Sequence, residues 1–594
     1  MAAALAYSPT PAPCVPRRVN RTLGVRFAFL VASAIPVIAA AHAETAPLAG
    51  APRATVTPIE HLIVVVGENL SFDNLFATYE PAAGQTVGNL LSRGIVNRDG
   101  SPGPRFDDAA QREASVRDRY TVLPVTTGTF ASLPQPGTTY ARGHPQYALD
   151  IRFPADLPNG PYRITRCASY DAAVGDPVHR FFQMWQQLDG GKMDLFTWVA
   201  LTSGEGSRRR GDASSGTNQG GVAMGFYSMS DGDAPYFREL ARSFAIADNY
   251  HQSVMGGTGA NFVALSTGHA AVYLRDGEPA SPPSSQIENP DPRPGTNNWY
   301  TQSGYRGGSY VACADEAQPG VRAIRDYLAL LPYEAFKDGN CERGSYYLVN
   351  NYDTGYTFDG KPKELGNAKF VAPPQVAVNI GTALATANIS WKWYSGGRAG
   401  RGIDKDLYCS ICDPLTHSTA VMTSALRENL QDVDALFRDL TTGHSLPAVS
   451  FVIPPNPESG HPAYSTVSAL EAFVKRLVAK TRANPSIWSK TAILVTTDEG
   501  GGYYDSGYVQ ILDFFGDGTR VPLMAISPFA KRGYVDHTYY DHASVLKFIE
   551  HNWRLSPLSA RSRDNLPNPT MSAADPYVPS NRPAIGDLLN LFEF

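Results

Sequence analysis

Two hydrophobic runs of the sequence each end in a pair of polar side chains. The run HLIVVVG is followed by Glu68 and Asn69, and the run TAILVTT is followed by Asp498 and Glu499. In open parallel sheets, ligands bind beyond the carboxyl ends of the strands. Carboxylate and amide oxygens suit a hard divalent cation. The two pairs therefore indicate a metal site at one sheet edge, with helix capping or a solvated turn as the alternative for each pair.

The strands that would carry these pairs belong to an alternating pattern of strand-like and helix-like segments. This alternation predicts an α/β fold, with a mostly parallel central sheet and helices on both faces. Long loops rich in Gly, Pro, Ser and Asn interrupt the pattern at 203–221 and 276–308. Strands are predicted at 62–66, 389–394, 448–453, 492–497 and 522–526, and helices at 236–244, 418–440, 465–483 and 543–553.

The first 43 residues have the pattern of a signal peptide. A lead with four arginines precedes an apolar run at 27–41, and small residues follow at the cleavage position. The apolar run is shorter than the about 20 residues that span a membrane, so we expect cleavage rather than an uncleaved anchor. Residues 44–57 would then form an N-terminal tail. Residues 58–594 would form one catalytic domain without a transmembrane segment.

The mature chain is predicted to be acidic. Loss of the four arginines, with no acidic residue, changes the formal net charge from −5 to −9. Non-specific nucleic-acid binding depends on basic patches, so nucleic acid is not an expected partner. Any positive charge that recognises an anionic substrate must therefore be local.

Five cysteines follow the predicted signal. In an exported protein we expect one or two disulfides and one unpaired thiol. Cys409 and Cys412 have a CxxC spacing that also suits zinc or redox chemistry, but the sequence contains no second CxxC motif. A structural disulfide or free thiols are the preferred interpretation. The five residues are Cys167, Cys313, Cys341, Cys409 and Cys412.

Seven segments of the sequence resemble, in the same order, motifs of bacterial acid phosphatases and phospholipases C. That family belongs to the alkaline-phosphatase-like superfamily, so the resemblance implies a three-layer α/β/α sandwich. The first segment has Leu70 where the family has an arginine. The segments are HLIVVVGENLSFDNLF, FPADLPNGPYRI, DPVHRFFQMWQQLDGGKMDLF, ADNYHQSVMGGTGANFVALSTG, SFVIPPNPESGHPAYSTV, ILVTTDEGGGYYD and HTYYDHASVLKFIEHNW.

The resemblance implies a phosphoester hydrolase that uses one divalent metal ion. Glu68, Asn69, Asp498 and Glu499 would ligate this metal together with Thr258. Coordination lowers the pKa of a hydroxyl group. Thr258 would therefore attack phosphorus and become a transient phosphothreonine.

The residues around Thr258 agree with this role. The run GGTG lets backbone N–H groups approach a phosphoryl oxygen closely, although an ordinary glycine-rich turn is the alternative. Asn261 would donate a hydrogen bond to the phosphoryl group. Ser253 and Ser266 are rival hydroxyl groups.

Protonation of the leaving group requires an acid, and histidine is the usual one near neutral pH. His179 and His461 fall in matched segments where the family has active-site histidines. His417 is a weaker third candidate. His542 precedes a predicted helix, where capping and packing explain it, so it is kept outside the site.

The resemblance implies an exported bacterial acid phosphatase, periplasmic or secreted, that acts on a broad range of small phosphorylated substrates. The alternative is a phospholipase C that removes the headgroup of phosphatidylcholine-like lipids, which the aromatic segments NWYTQSGYRGGSY and YYLVNNYDTGYTF keep open. Many of these phospholipases continue into β-rich domains, whereas this sequence ends about 40 residues after its last matching segment, which favours the phosphatase. A non-catalytic protein of the same fold is the third possibility, favoured only by Leu70.

Overall fold

The structure is a computed structural model that describes residues 54–594, except for 139–147, 204–218, 301–307, 367–369, 399–401 and 443–445. The predicted signal peptide and most of the predicted N-terminal tail lie outside the described residues. Parts of both predicted long loops also lie outside them.

The described residues form eighteen strands and thirteen α-helices. The strands are β1 (His61–Gly67), β2 (Arg112–Ser115), β3 (Val125–Thr129), β4 (Tyr162–Arg163), β5 (Gly225–Phe226), β6 (Ala245–Ala247), β7 (Tyr250–His251), β8 (Leu274–Arg275), β9 (Glu278–Pro279), β10 (Tyr310–Val311), β11 (Tyr347–Leu348), β12 (Trp391–Ser395), β13 (Leu430–Gln431), β14 (Val449–Ile453), β15 (Thr491–Thr497), β16 (Leu523–Ile526), β17 (Val535–Asp536) and β18 (Tyr540–Asp541). The helices are α1 (Phe72–Phe76), α2 (Phe181–Leu188), α3 (Phe196–Thr202), α4 (Pro235–Ser243), α5 (Thr258–Thr267), α6 (Val321–Leu328), α7 (Lys337–Asn340), α8 (Ile380–Thr386), α9 (Thr419–Met422), α10 (Val433–Thr442), α11 (Val467–Arg482), α12 (Pro485–Trp488) and α13 (Ala543–Trp553).

Eight of these strands form one central sheet, in the order β13-β12-β14-β1-β15-β16-β6-β17. All neighbouring pairs are parallel except those of β16, which runs antiparallel to β15 and β6. The predicted mostly parallel sheet is therefore confirmed, and all five predicted strands belong to it. The short strands β6, β13 and β17 complete the sheet without having been predicted.

Helices cover both faces of the sheet, which gives three layers. Along β1, Ile63 and Val65 pack into a core that also contains apolar residues of α4, α10 and α11. Leu62, Val64 and Val66 point to the opposite face and pack into a core with residues of α5, α8, α9 and α13. A strand buried on both faces has no polar alternation, and this explains the continuous apolar run of β1.

The prediction of one helix at 418–440 is wrong. Two side chains begin new elements inside this range, because Ser424 accepts a hydrogen bond from the backbone N–H of Leu426, and Asp432 accepts one from that of Asp434. The segment therefore divides into α9, a 3-10 turn (Ala425–Asn429), the edge strand β13 and the start of α10.

The described residues contain two disulfides, Cys313–Cys341 and Cys409–Cys412, while Cys167 is a free thiol. This arrangement matches the expected one or two bonds with one thiol left over. Within the same residues, no helix combines the length and the apolar character that crossing a membrane would require.

Candidate active site

The two polar pairs lie side by side because β1 and β15 are adjacent parallel strands in register, with Gly67 opposite Thr497. Where the strands end, the backbone N–H of Asp498 donates to the carbonyl of Gly67 at 3.0 Å. The backbone N–H of Asn69 donates to Asp498 Oδ1 at 3.1 Å. The structure thus brings the two predicted pairs together at one sheet edge.

Asn69 turns the chain sharply at the end of β1. Its φ is 62°, in the left-handed region that asparagine tolerates better than most residues. Gly501, from the loop after β15, lies directly against it, and a Cβ atom at Gly501 would collide with the Asn69 side chain. The glycine run after Asp498 and Glu499 therefore allows the two strand ends to pack closely.

Thr258 is the first residue of α5 and lies beside the same cluster. The residue is 2% exposed, and its Oγ1 donates a hydrogen bond to Glu499 Oε1 at 3.1 Å. The preceding turn packs tightly, because a Cβ atom at Gly256 would overlap the carbonyl oxygen of Val349. The helix N-terminus places its positive dipole end at this point, which favours an anion in front of Thr258.

His179 and His461 lie on the other side of the strand-end carboxylates. His179 Nδ1 is 2.6 Å from the Pro177 carbonyl oxygen, so this nitrogen carries a proton and donates it in a hydrogen bond. Its Nε2 lies 3.7 Å from Glu499 Oε1. The imidazole therefore presents Nε2 toward the oxygen that also contacts Thr258.

Asp176 joins the two histidines and was not predicted. Its carboxylate lies 3.7 Å from His179 Nδ1 and 3.9 Å from His461 Nε2, and it accepts a hydrogen bond from Asn69 Nδ2 at 3.3 Å. Asp176, His179 and His461 place their ligand atoms close enough together to hold a metal ion themselves. The signal for Asp176 was its place in a matched segment, three residues before His179.

Three oxygens of the strand-end pairs are buried without a hydrogen-bond partner: Asn69 Oδ1, Asp498 Oδ2 and Glu499 Oε2. Within the described part of the chain, the carboxylates of Glu68, Asp498 and Glu499 have no Lys or Arg ion-pair partner. Buried carboxylates of this kind are costly unless a cation neutralises them. Unpartnered carboxylate and amide oxygens that converge in this way fit a hard divalent cation.

Burial is the main cause of the shifted pKa values in this cluster. Burial, with a smaller contribution from Asp176, raises the pKa of Glu68 to about 7. Burial and the neighbouring Glu68 raise the pKa of Asp498 to about 8. Burial and Asp498 raise the pKa of Glu499 well above its usual value. Burial and the nearby His179 hold the pKa of His461 well below its usual value, so this ring is neutral at neutral pH.

Asn261 lies on the first turn of α5, but its side chain faces the loop before the helix. Its Nδ2 donates to the carbonyls of Val254 and Gly256, and its Oδ1 accepts from the N–H of Val254. These contacts hold the loop that positions Thr258. They leave the predicted hydrogen bond from Asn261 to a phosphoryl group without support.

Two further histidines have structural contacts. His417 Nδ1 accepts from the N–H of Gly355, and burial lowers its pKa to about 4. His542 lies behind the site, where its Nε2 contacts the carbonyl of Asp498 at 2.6 Å and its Nδ1 contacts the hydroxyl of Tyr250. His542 therefore supports the backbone of Asp498. Leu70, which departs from the motif that the first segment resembles, is part of the core.

Two more neighbours of Glu68 were not predicted. The hydroxyl of Tyr464 lies 3.3 Å from Glu68 Oε2, and its ring stacks on His461. The disulfide Cys409–Cys412 lies near the same carboxylate. Tyr464 follows His461 by three residues in a matched segment, whereas nothing in the sequence links the disulfide to Glu68.

Known proteins with similar sequences were found over most of the chain. This chain is 24% identical over 578 residues to a non-hemolytic phospholipase C of Burkholderia pseudomallei. The alignment covers 91% of this chain and 60% of the relative. The chain is also 24% identical over 394 residues to a hemolytic phospholipase C of Pseudomonas aeruginosa, with 63% of this chain and 43% of the relative covered. A probable acid phosphatase of Kluyveromyces lactis is 25% identical over 211 residues, with 34% of this chain and 47% of the relative covered.

A solved structure of a protein in the alkaline phosphatase superfamily from Vibrio parahaemolyticus aligns over 53% of this chain and 59% of that one, with 10% identity and a TM-score of 0.25. The chain spans 60% of the length of the first phospholipase C and 43% of the second. The sequence profile of the Phosphoesterase family matches residues 59–556, which include all the candidate site residues. The chain belongs to the Phosphoesterase family.

Proposed function

We propose that this chain is a metal-dependent phosphoester hydrolase in which Thr258 is the nucleophile. The observation that carries the proposal is the position of Thr258. Its hydroxyl donates to Glu499 at 3.1 Å, beside three buried oxygens that have no hydrogen-bond partner. A nucleophile, a base and a set of metal ligands therefore meet at the N-terminus of a helix.

The carboxylates of Glu68, Asp498 and Glu499, together called the strand-end cluster, would hold one divalent cation. Asn69, Asp498 and Glu499 offer the unpartnered oxygens, Glu68 adds a carboxylate, and Thr258 offers its hydroxyl oxygen. When bound, such a cation stabilises negative charge on phosphoryl oxygens and lowers the pKa of a coordinated hydroxyl group. Side chains of the protein carry out the attack on phosphorus and the proton transfers.

Thr258 Oγ1 attacks the phosphorus atom and displaces the alcohol oxygen of the ester, which gives a phosphothreonine. The hydroxyl proton moves to Glu499 Oε1, to which it already donates. The positive end of the α5 dipole stabilises the charge that develops on the phosphoryl group.

The leaving alkoxide needs a proton, and we assign its delivery to His179. Its Nε2 faces the catalytic carboxylate while its Nδ1 is held by the Pro177 carbonyl. In the second half of the reaction, His179 Nε2, which has given its proton to the leaving group, takes a proton from the water that attacks phosphorus. Thr258 Oγ1 then leaves phosphorus and takes back the proton held by Glu499. His461, with its lowered pKa, is a poorer acid and is assigned to orienting Asn69, which it contacts at 3.1 Å.

The preferred substrates are small phosphomonoesters, hydrolysed by an acid phosphatase of broad range after export to the periplasm or medium. The supporting observation is burial, because every proposed ligand and acid or base is less than 9% exposed, which suits a small phosphoryl group. The second candidate is a phospholipase C that acts on phosphatidylcholine-like diesters, and the names of the bacterial relatives favour it.

One assay separates the two candidates. Purified protein with added divalent metal is given p-nitrophenyl phosphate or p-nitrophenylphosphorylcholine, and a chelator-treated sample is the control. We expect the monoester to be hydrolysed at least about tenfold faster in kcat/KM, which corresponds to ~1.4 kcal/mol of transition-state discrimination. Faster hydrolysis of the choline diester would instead favour the phospholipase C as the function of this protein. Hydrolysis of neither substrate, with any metal, would contradict the proposed function.

A further inference from the structure

Glu68 also has two cysteine neighbours, and cysteine sulfur binds softer metal ions than carboxylate oxygen does. Its carboxylate and the sulfur atoms of Cys409 and Cys412 all lie within 4.8 Å of one another. Glu68 and Cys412 are fully buried, and Cys409 is 9% exposed. In the structure the two sulfurs form a disulfide, so they have no ligand capacity in this state.

The positions of the two cysteines do not depend on the disulfide alone. Tyr408 and Asp413 flank the motif, and the tyrosine hydroxyl donates to Asp413 Oδ2 at 2.8 Å. The buried Arg398 donates to the same oxygen at 2.6 Å and to the tyrosine hydroxyl at 3.2 Å. The backbone N–H of Cys412 also donates to the carbonyl of Cys409. We therefore expect both thiols to stay near Glu68 after the disulfide is reduced.

We propose that reduction of the Cys409–Cys412 disulfide creates a site for a thiophilic divalent cation such as Zn²⁺, with two thiolates and Glu68 as ligands. A phosphine or dithiol reductant supplies two electrons, and the disulfide takes up two protons to give two thiols. Zn²⁺ then displaces these two protons as it binds. Two cysteines at CxxC spacing with one carboxylate and a water molecule would complete a tetrahedral zinc site.

A cavity lies beside the CxxC motif. Its volume is about 520 Å³, and it is lined by Tyr408 and Ser410, the two residues on either side of Cys409. Its other lining residues include Lys363 and Arg398. Cys409, the less buried of the two cysteines, lies between these two lining residues in the sequence.

The new site would compete with the catalytic site, because the single carboxylate of Glu68 cannot fully coordinate a cation at both positions. This consequence rests on the proposed function, in which Glu68 contributes a carboxylate to the catalytic cation. Zn²⁺ held by the thiolates would draw the carboxylate away from the strand-end cluster. Reduction in the presence of zinc would then lower the activity, and reoxidation with removal of zinc would restore it.

The test counts zinc on reduced and oxidised full-length protein by equilibrium dialysis and elemental analysis. Reduction should add about one zinc ion per chain to the wild type and none to the double variant Cys409→Ser, Cys412→Ser. The Cys313→Ser, Cys341→Ser variant is the matched control, because that disulfide belongs to no three-ligand group in the described residues, and it should behave like the wild type. Should the double variant not fold, Cys409→Ser alone should bind the extra ion at least about tenfold more weakly.

Two further readouts decide the proposal. Reduced wild type loaded with Co²⁺ should show thiolate-to-cobalt charge-transfer absorption that the double variant lacks. Hydrolysis of p-nitrophenyl phosphate should fall about tenfold or more in reduced protein with zinc, but not in the double variant. Equal zinc content of reduced and oxidised wild type would overturn the new site even if the enzyme is active. An inactive protein that still gains the thiolate-bound ion would refute the proposed function instead.

Discussion

Two neighbouring groups of buried carboxylates differ within the described residues, because one has a cationic side chain of its own and the other does not. Asp513, Asp517 and Asp541 surround the guanidinium of Arg563, which is 3% exposed. Arg563 binds Asp513 through two hydrogen bonds and reaches the other two carboxylates through a third nitrogen. None of the carboxylate oxygens of this arginine cluster is left without a hydrogen-bond partner.

The strand-end cluster of Glu68, Asp498 and Glu499 is equally buried but has no such partner in the described residues. Two of its carboxylate oxygens, with the amide oxygen of Asn69, are unpartnered. The two clusters are close neighbours, because Asp541 is followed by His542, which contacts the backbone of Asp498. The fold can therefore neutralise buried carboxylates in this region with arginine, and it does not do so where Thr258 lies.

The difference supports the proposal that the strand-end cluster binds a cation from outside the chain. An arginine would fill the space and fix the charge permanently, whereas a bound cation can also contact a hydroxyl group and a phosphoryl group. Three predictions test this comparison between the two clusters.

The largest expected effect concerns the hydroxyl group beside the strand-end cluster. Thr258→Ala removes the proposed nucleophile, so kcat for p-nitrophenyl phosphate should fall on the order of 10³-fold or more. Thr267→Ala removes a hydroxyl from the last turn of the same helix, where it bonds to the backbone, and should leave kcat almost unchanged. Near-normal turnover by the Thr258 variant would show that another group attacks phosphorus.

One chemical change should have opposite effects on stability in the two clusters. Asp513→Asn breaks the two-hydrogen-bond pair with Arg563 and should destabilise the protein by about 3–5 kcal/mol. Asp498→Asn keeps an oxygen for the two N–H groups that bond to Oδ1 and places an NH₂ group where Oδ2 has no partner. The metal-free Asp498 variant should therefore be at least as stable as metal-free wild type, although inactive. Denaturant unfolding of chelator-treated proteins measures both changes, and equal losses would contradict the comparison.

The metal-free protein should also lose stability as the pH rises. The pKa of Glu68 is raised from 4.5 to about 7 and that of Asp498 from 3.8 to about 8, so the folded state retains protons that the unfolded state has released. The contribution of these two groups to folding stability is therefore fully present below about pH 4 and is lost between about pH 4 and pH 8. For Glu68 alone the loss corresponds to ~3 kcal/mol.

The unfolding midpoint of chelator-treated protein, measured from pH 5 to pH 8, checks this slope. Added divalent metal should remove most of the decrease at pH 8, because ligand binding to the folded state stabilises it. Asp498→Asn should reduce the slope. A flat profile in metal-free wild type would mean that these carboxylates are already neutralised.

The sequence predicted that the two polar pairs converge, because strong local patterns encode the two strands. β1 and β15 are continuous apolar runs, and their polar ends had to meet once the two strands were parallel neighbours. The strands β6, β13 and β17 are only two or three residues long, so they depend on tertiary pairing rather than on a local pattern.

Other features depend on side-chain directions that a linear pattern does not contain. Asn261 has the expected position on α5, yet its amide bonds to the loop before the helix. Asp176 was overlooked because a carboxylate in a loop has many ordinary explanations. Cys409 and Cys412 are more than 300 positions from Glu68 along the chain, so only the folded structure shows that they are neighbours.

The most direct test of the account is a crystal structure of the metal-loaded protein, with anomalous diffraction data collected for Mn²⁺ or Zn²⁺. We predict one strong anomalous peak about 2.0–2.6 Å from Asn69 Oδ1, Asp498 Oδ2 and Glu499 Oε2, with Thr258 Oγ1 beside it. A metal-loaded, active crystal without a peak at that position, or with its only peak among Asp176, His179 and His461, would contradict the central claim.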